Sequence, residues 1–458
     1  MSYRKTNINM QTKSSVIPYR ICILLSFLLW AMALPAQDNY IRTYAPGWEY
    51  SPGTILDTNN SMVSTSYYDA AGRLVQTVKH SFTPQRNDMA NFIDYDGLGR
   101  KIREWSYIPF NEANGSYKQR EKFIESPDVG DHYVDYEYDE FGRVRNKILI
   151  DKKDTIRYSY DSRSRLEQIK SRNFSERLYY DKVMASGLSN SGPFNGQITG
   201  IQVRQGDNAY AYRLQYDKLN RLKEGTMHNV KDTAVTSRNF SYQERMGYDR
   251  MGNINEFYQK IDGKVVNNIE IFHNGNRPSG IYKLSDYTTP AEYAHLAYGS
   301  CQGKDCYTYD ASGNETSNLP DGIYYSHFNR LNLPDSVLFD KTGNTTRMSY
   351  MADGKRIRTV HKTYSTGLSY LLDNVQKFDD PIHTTEEIRD GDILFKDGII
   401  TRIDLPCGYI NVREPEYDRM TAYYFVTDHL GSVRTTAAAI SGKVVQQLES
   451  VSYTHLTL

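Results

Sequence analysis

Asp428-His429-Leu430-Gly431-Ser432 is the one place where an acid, a base and a hydroxyl stand together, as acyl-transfer chemistry would need. Adjacent residues on a strand point to opposite faces, so closeness in sequence does not assemble a triad; triads are built across a fold. Asp428-His429-Leu430-Gly431 also has the form Asp-x-x-Gly, a hairpin-turn signal, and the turn reading outweighs catalysis. Cys301 and Cys306 could close a small loop in an oxidising compartment, but no further Cys or His lies near enough to suggest a metal site. Gly97-Leu98-Gly99 lacks the strand-to-helix setting of a dinucleotide site. The acids are scattered at turns, with no carboxylate pair singled out by spacing. The expectation is therefore no catalytic residue, no metal and no cofactor, that is, not an enzyme.

The elements around these residues belong to a repeat. Tyr-Asp-x-x-Gly-Arg/Asn occurs at Tyr68–Arg73, Tyr95–Arg100, Tyr138–Arg143, Tyr248–Asn253 and Tyr309–Asn314. Weaker copies are read at Tyr160–Arg165, Tyr216–Arg221, Tyr325–Arg330, Phe339–Asn344 and Tyr350–Lys355. Asp69, Asp96, Asp139, Asp249 and Asp310 can each accept hydrogen bonds from backbone N–H groups further on, as an Asx-turn. Gly72, Gly99, Gly142, Gly252 and Gly313 stand where a turn running into a bulge needs a left-handed residue; Asn220, Asn329 and Ser164 replace Gly in weaker copies. The flanks alternate with period two: Val134, Tyr136 and Tyr138 fall on one face, as do Tyr210, Tyr212, Leu214 and Tyr216. The unit is thus strand, turn, strand, and the basic residue after the Gly begins the returning strand, where its charge stays wet or pairs with a neighbouring acid. Lys396-Asp397-Gly398 and Ser441-Gly442 add further hairpin signals.

Composition agrees with a folded, thin-sheeted body. Mean hydropathy is −0.65, polar for a long chain, yet 39 of 458 residues are Tyr, whose ring is apolar and whose tip is polar. Such aromatic content excludes disorder for the body. Residues 1–36 hold four bases and no acid, which leaves 51 bases against 55 acids, net −4. Net charge therefore argues for neither nucleic acid nor an anionic membrane as partner. Ile21–Ala33 (ICILLSFLLWAMA) follows Arg20 and precedes Leu34-Pro35-Ala36, which reads as a secretory signal peptide over residues 1–36, with Met10 an alternative start and Ala33 an alternative cleavage site. The run is short for a membrane span, so an exported protein without a span after removal of the leader is expected. The last eight residues, VSYTHLTL, read like the translation of a transposon-derived sequencing adapter, so native sequence is expected to end near Ser450.

These residues resemble the YD repeats of bacterial RHS proteins. Asn39–Tyr44 with the first two repeats is similar to the module of unknown function that opens many secreted RHS proteins. Glu387–Ile410 followed by Tyr423–Arg434 (YYFVTDHLGSVR) looks like the RHS-associated core, with Asp428, His429, Gly431 and Arg434 as its most specific word. Between the leader (1–36) and the non-native tail (451–458), the resemblance implies an opening module with the first repeats (37–130), a YD-repeat region (131–365) and a core (366–450). The repeated hairpins themselves lead to an all-β protein with an extended, curling antiparallel sheet, and the resemblance implies that this sheet is the wall of a hollow shell. In toxin-bearing relatives that shell encloses a C-terminal toxin used against competing cells; other relatives are surface proteins with adhesive roles. Two functions follow as expectations: a non-enzymatic shell or scaffold in intercellular competition, its partner being its own C-terminal cargo, or a surface adhesin for glycans or a partner cell. Toxin-bearing relatives continue into an Asp-Pro-x-Gly-like self-cleavage segment and a variable toxin, and nothing in this sequence matches either.

Overall fold

The computed structural model describes residues 39–46, 61–82, 86–125, 133–149, 154–180, 195–231, 234–235, 241–285, 287–299, 301, 306–339, 343–364, 383–412, 421–439 and 441–448. The leader and its cleavage site, the middle of the Phe339–Asn344 copy and the last eight residues lie outside them. The regular structure of the described chain is almost entirely antiparallel strand. It divides into two compact units: the first runs to Thr155 and includes Leu405–Cys407, and the second holds Ile156–Asp404 and the chain from Gly408.

In the first unit β1 (Tyr40–Pro46), β2 (Ser61–Tyr68), β3 (Leu74–Lys79), β4 (Asp88–Tyr95), β5 (Lys101–Phe110), β6 (Tyr133–Tyr138) and β7 (Val144–Leu149) pair in sequence order, each antiparallel to the next. Period-two patterning sets the buried face: Val63, Thr65 and Tyr67 of β2 point inward while their neighbours are wetter. The short helix α1 (Arg120–Glu125) inserts Phe123, 1% exposed, against Phe92 at 5.4 Å and Phe110 at 5.2 Å between ring centroids. Trp105, Val78 and Ile108 complete this core.

The boundary falls within β8 (Asp154–Tyr160), and the second unit continues with β9 (Leu166–Lys170), β10 (Phe174–Tyr179), β11 (Gly200–Gln205), β12 (Asn208–Tyr216) and β13 (Leu222–Lys231), again paired in order. The strand Tyr242–Tyr248 continues from β13, and hairpins follow through Arg277–Lys283. A second run of thirteen strands, from Tyr307–Tyr309 to Val444–Gln447, also keeps sequence order. Each hairpin thus covers the edge left open by its predecessor. Met246, Phe257, Ile269, Ile271 and Ile281 form one core of this unit. Cys301 and Cys306 are disulfide-bonded, and Cys301 exchanges backbone hydrogen bonds with Ile281. Among the described residues no helix is long and apolar enough to cross a membrane.

The copy read at Tyr325–Arg330 has a different register. Its turn is Asn329–Asn332: Asn329 N–H donates to the Leu333 carbonyl, Asn332 N–H donates to the Asn329 carbonyl, and Asn332, not Asn329, is left-handed at φ 57°. Ser326 is buried on the strand Ile323–Phe328, so it cannot serve as a turn residue. Asn329 supplies the side-chain acceptor that Asp supplies elsewhere.

Candidate functional site

Each Tyr-Asp turn is closed by one carboxylate. Asp96 Oδ1 accepts from the Leu98 and Arg100 backbone N–H groups, both at 2.9 Å, and Asp96 Oδ2 accepts from Arg100 Nε at 2.7 Å. Asp69, Asp139, Asp161 and Asp217 repeat this set with Arg73, Arg143, Arg165 and Arg221. Where Asn replaces Arg, its Nδ2 donates instead, Asn253 to Asp249 and Asn314 to Asp310, both at 2.8 Å. The Arg100 backbone N–H, followed by its side chain, holds the Asp96 carboxyl below the usual carboxylate range. Gly72, Gly99, Gly142, Gly252 and Gly313 have φ between 77° and 95°. Ser164 and Asn220 take the same conformation at 63° and 65°, which for Ser is a strain of about 1 kcal/mol.

A second set of contacts joins one unit to the next. The Tyr95 hydroxyl donates to the Leu74 carbonyl at 2.9 Å, and the Arg73 guanidinium lies 4.7 Å from the Tyr95 ring centroid. Tyr138 bonds the Lys101 carbonyl at 2.6 Å under Arg100, Tyr180 the Leu166 carbonyl at 2.8 Å under Arg165, and Tyr248 the Leu222 carbonyl at 2.6 Å under Arg221. Tyr216, Tyr309 and Tyr350 donate to the carbonyls of Ile198, Pro278 and Pro334. Burial pushes these hydroxyls up, that of Tyr216 to about 12. So the Tyr and Arg of the motif act between units: the Arg neutralises its own Asp and roofs the next Tyr. The readable signal was that both termini of the hexapeptide recur together, although only Asp and Gly are needed by the turn itself.

The segment Asp428–Arg434 is a turn of the same kind, between strands Thr421–Thr427 and Val433–Ala438. Asp428 Oδ1 accepts from the Leu430 and Ser432 N–H groups at 3.0 and 2.8 Å, and Gly431 has φ 85°. Ser432 stands where other units have Arg; Arg434, two residues on and so on the same strand face, reaches back with Nε to Asp428 Oδ2 at 2.8 Å. His429 turns to β10: its N–H donates to Glu176 Oε2 at 2.8 Å and its Nδ1 lies 3.0 Å from Glu176 Oε1. The Gln205 side chain of β11 donates to the Arg434 carbonyl. All four ionisable side chains are at most 8% exposed, so this buried cluster ties the far end of the second unit to its beginning. Asp428 is committed to its turn and to Arg434, and His429 to Glu176, so Asp428, His429 and Ser432 do not form a relay.

Two further polar clusters are buried in the cores. In the first unit Lys118 Nζ meets Asp88 Oδ2 at 2.9 Å and Glu112 Oε2 at 2.8 Å, with Lys118 and Asp88 side chains fully buried. Asp88 also accepts from the Gly115 and Ser81 N–H groups, pinning the loop before α1. His80, packed on Gly115 and bonded to Thr65, is lowered to about 4 by burial and then by Arg42. In the second unit Glu244, 1% exposed, accepts from the Tyr242 hydroxyl at 2.7 Å. Gln259 bonds that hydroxyl at 3.1 Å, and Asn267 bonds Gln259 at 2.8 Å. Burial raises the Glu244 carboxyl to about 7, and the Tyr242 hydrogen bond only partly offsets it. Among the described residues no group of three or more His, Cys, Asp or Glu is placed to hold a metal ion.

Residues 42–128 match the family described as a domain of unknown function, DUF6443. The chain shares its fold with the TcdB2-TccC3-TEV crystal structure, at a TM-score of 0.58 and 14% identity over 90% of this chain and 19% of that one. The TcdB2-TccC3 crystal structure is alike at 0.57 and 15% identity, over 90% of this chain and 20% of that one. The Photorhabdus luminescens Tc holotoxin pore carrying TccC3-D651A matches at 0.56 and 14%, over the same 90% of this chain and 19% of that one. This chain therefore spans about a fifth of the length of the solved chains it matches. No curated protein matches its sequence.

Proposed function

We propose that this chain is wall material: an exported, non-enzymatic repeat scaffold of the RHS type whose hairpins enclose another polypeptide, with intercellular competition as its use. One observation carries the reading. A fold shared over nine-tenths of the chain with TccC3-containing toxin structures coincides with the Tyr-Asp repeat and the Asp428–Arg434 word. The contacts suit that role. Carboxylates close turns, tyrosines join successive hairpins, the buried Asp428–Arg434 pair closes its own turn, and the buried Glu176–His429 pair holds distant strands together, all of which stiffen a wall rather than present a nucleophile. Export follows from the leader, and the enclosed partner is the polypeptide encoded after the core.

The test is to sequence the native locus across codon 450, express the intact gene product with its leader, and digest the exported protein with protease. The expected result is a new N-terminus near Gln37 and a downstream segment that resists digestion until the wall is unfolded. A downstream segment cut as fast as an unfolded control would overturn enclosure, and recovery of Met1 or Met10 from an exported product would overturn the leader.

A further inference from the structure

Among the described residues the strand order of the second unit breaks once, between the strands Arg277–Lys283 and Tyr307–Tyr309. The restart after the break is weakly laddered. Tyr307, Thr308 and Tyr309 pair with Asn318, Ser317 and Glu315, and that second strand meets the next through Asn318 and Ile323 alone. By contrast, Tyr242–Tyr248 is paired from end to end with Ile254–Ile261. A hairpin with so few ladder bonds opens locally at low cost. The disulfide stands in this gap. Cys301 is on fixed ground: it exchanges backbone hydrogen bonds with Ile281 at 3.0 and 3.3 Å. Just upstream, Tyr298 N–H donates to Asn267 Oδ1 at 2.8 Å and Asn267 Nδ2 donates to the Leu296 carbonyl at 2.9 Å. Cys306 belongs to the far side, where its carbonyl accepts from the Leu319 N–H at 3.0 Å.

We propose that the Cys301–Cys306 bond is a redox-operated clasp on this seam, closed in an oxidising compartment and opened by a dithiol reductant. The bond holds the two Cα atoms 5.7 Å apart, whereas the peptide between them can extend to roughly 17 Å. It joins positions only five apart in sequence, and closing so short a loop removes little entropy from the unfolded chain. Its effect is therefore local tethering rather than general stability. What the tether holds down is a core: Tyr298 and Tyr307, one on each side of the bond, pack against Met246, Phe257, Ile269, Ile271 and Ile281. The Tyr309 hydroxyl, 3.0 Å from the Pro278 carbonyl, and the Arg277 guanidinium, 5.4 Å from the Tyr309 ring centroid, also cross the gap, and neither link is covalent. Cys306 is 1% exposed and Cys301 is half-buried, so the reductant's thiolate attacks Cys301 Sγ and Cys306 leaves as a thiolate. The second thiol of the reductant then attacks the mixed disulfide and releases Cys301. Both cysteines end protonated, with the protons that the two reductant thiols gave up, and the reductant ends as a disulfide. The clasp stands on the seam's geometry and not on what the wall encloses.

The experiment is hydrogen exchange, read by mass spectrometry, on the full chain prepared without reductant and again after dithiothreitol, with iodoacetamide in a denaturing quench to count free thiols. Cys301 and Cys306 should be blocked before reduction and alkylated after it. Exchange should then accelerate roughly tenfold or more in residues 277–283 and 307–318, stay unchanged in β11 and β12, and recover on reoxidation. Cys301→Ser with Cys306→Ser should show the fast exchange without reductant and no response to it. Free thiols at both positions before reduction, a bond that dithiothreitol leaves intact in the folded chain, or unchanged exchange after the bond is lost overturns the proposal. So does acceleration that reaches β11 and β12 equally, which makes the bond a staple for the whole unit.

Discussion

Replacing Tyr248 with Phe removes one oxygen and keeps the ring, so it isolates the hydrogen bond that joins the unit at Asp249 to the one before it. The Tyr248 hydroxyl donates at 2.6 Å to the Leu222 carbonyl at the start of β13, and the Arg221 guanidinium, 4.4 Å from the ring centroid, keeps its seat over Phe. Losing a net hydrogen bond costs about 1 kcal/mol, and a half-buried carbonyl that water reaches imperfectly adds a fraction more, so about 1 to 2 kcal/mol is expected. In a repeat array that loss falls on one interface rather than on the whole chain. Hydrogen exchange should therefore accelerate in β13 and in the strands Tyr242–Tyr248 and Ile254–Ile261 while leaving β4 and β5 unchanged, and the melting temperature should fall by about 2–4 °C. Arg221→Gln should cost about 1 kcal/mol, and the double variant less than the sum, because the two groups share one contact. Unchanged exchange in all three strands together with an unchanged melting temperature would refute the idea that tyrosines join the units.

Four more outcomes are expected. Gly99→Val should lower the melting temperature by several degrees in a thermal melt, because φ is 81° and the new Cβ would lie 2.8 Å from Arg73 Nη1. Glu244 has a folded carboxyl raised from 4.5 to about 7, so its contribution is complete below about pH 4.5 and is lost as pH rises through 7; denaturant titrations should show Glu244→Gln flattening that fall, with a gain of up to roughly 3 kcal/mol at pH 8. The turn carboxylates Asp96 and Asp217 are lowered, chiefly by the backbone N–H groups of Arg100 and Arg221, so their contribution is present above pH 3.8 and is lost on acidification below it; Asp96→Asn with Asp217→Asn should make acid unfolding less steep. Glu176→Ala, which removes both hydrogen bonds between Glu176 and His429, should cost about 3 kcal/mol and expose the chain near Asp428 to limited proteolysis.

What the sequence determined by itself was the local unit. A turn closed by Asp and a left-handed Gly depends on contacts no more than four residues apart, so Tyr-Asp-x-x-Gly-Arg specifies its own hairpin, and the all-β character follows from repeating it. Locality also explains the one slipped copy. Tyr325-Ser-His-Phe-Asn-Arg and Phe328-Asn-Arg-Leu-Asn-Leu both resemble the motif, and only the burial of Ser326 chooses the second. The tertiary structure decided what each Tyr and Arg is for, because the carbonyl a Tyr meets belongs to the preceding hairpin and the loops between hairpins vary in length. It also decided the partner of His429, since Glu176 lies 253 residues away and no local pattern reports which strands come to lie side by side. A carboxylate such as Glu244 reads as one more surface acid until the neighbouring strands bury it, because desolvation belongs to the assembled fold and not to the residue.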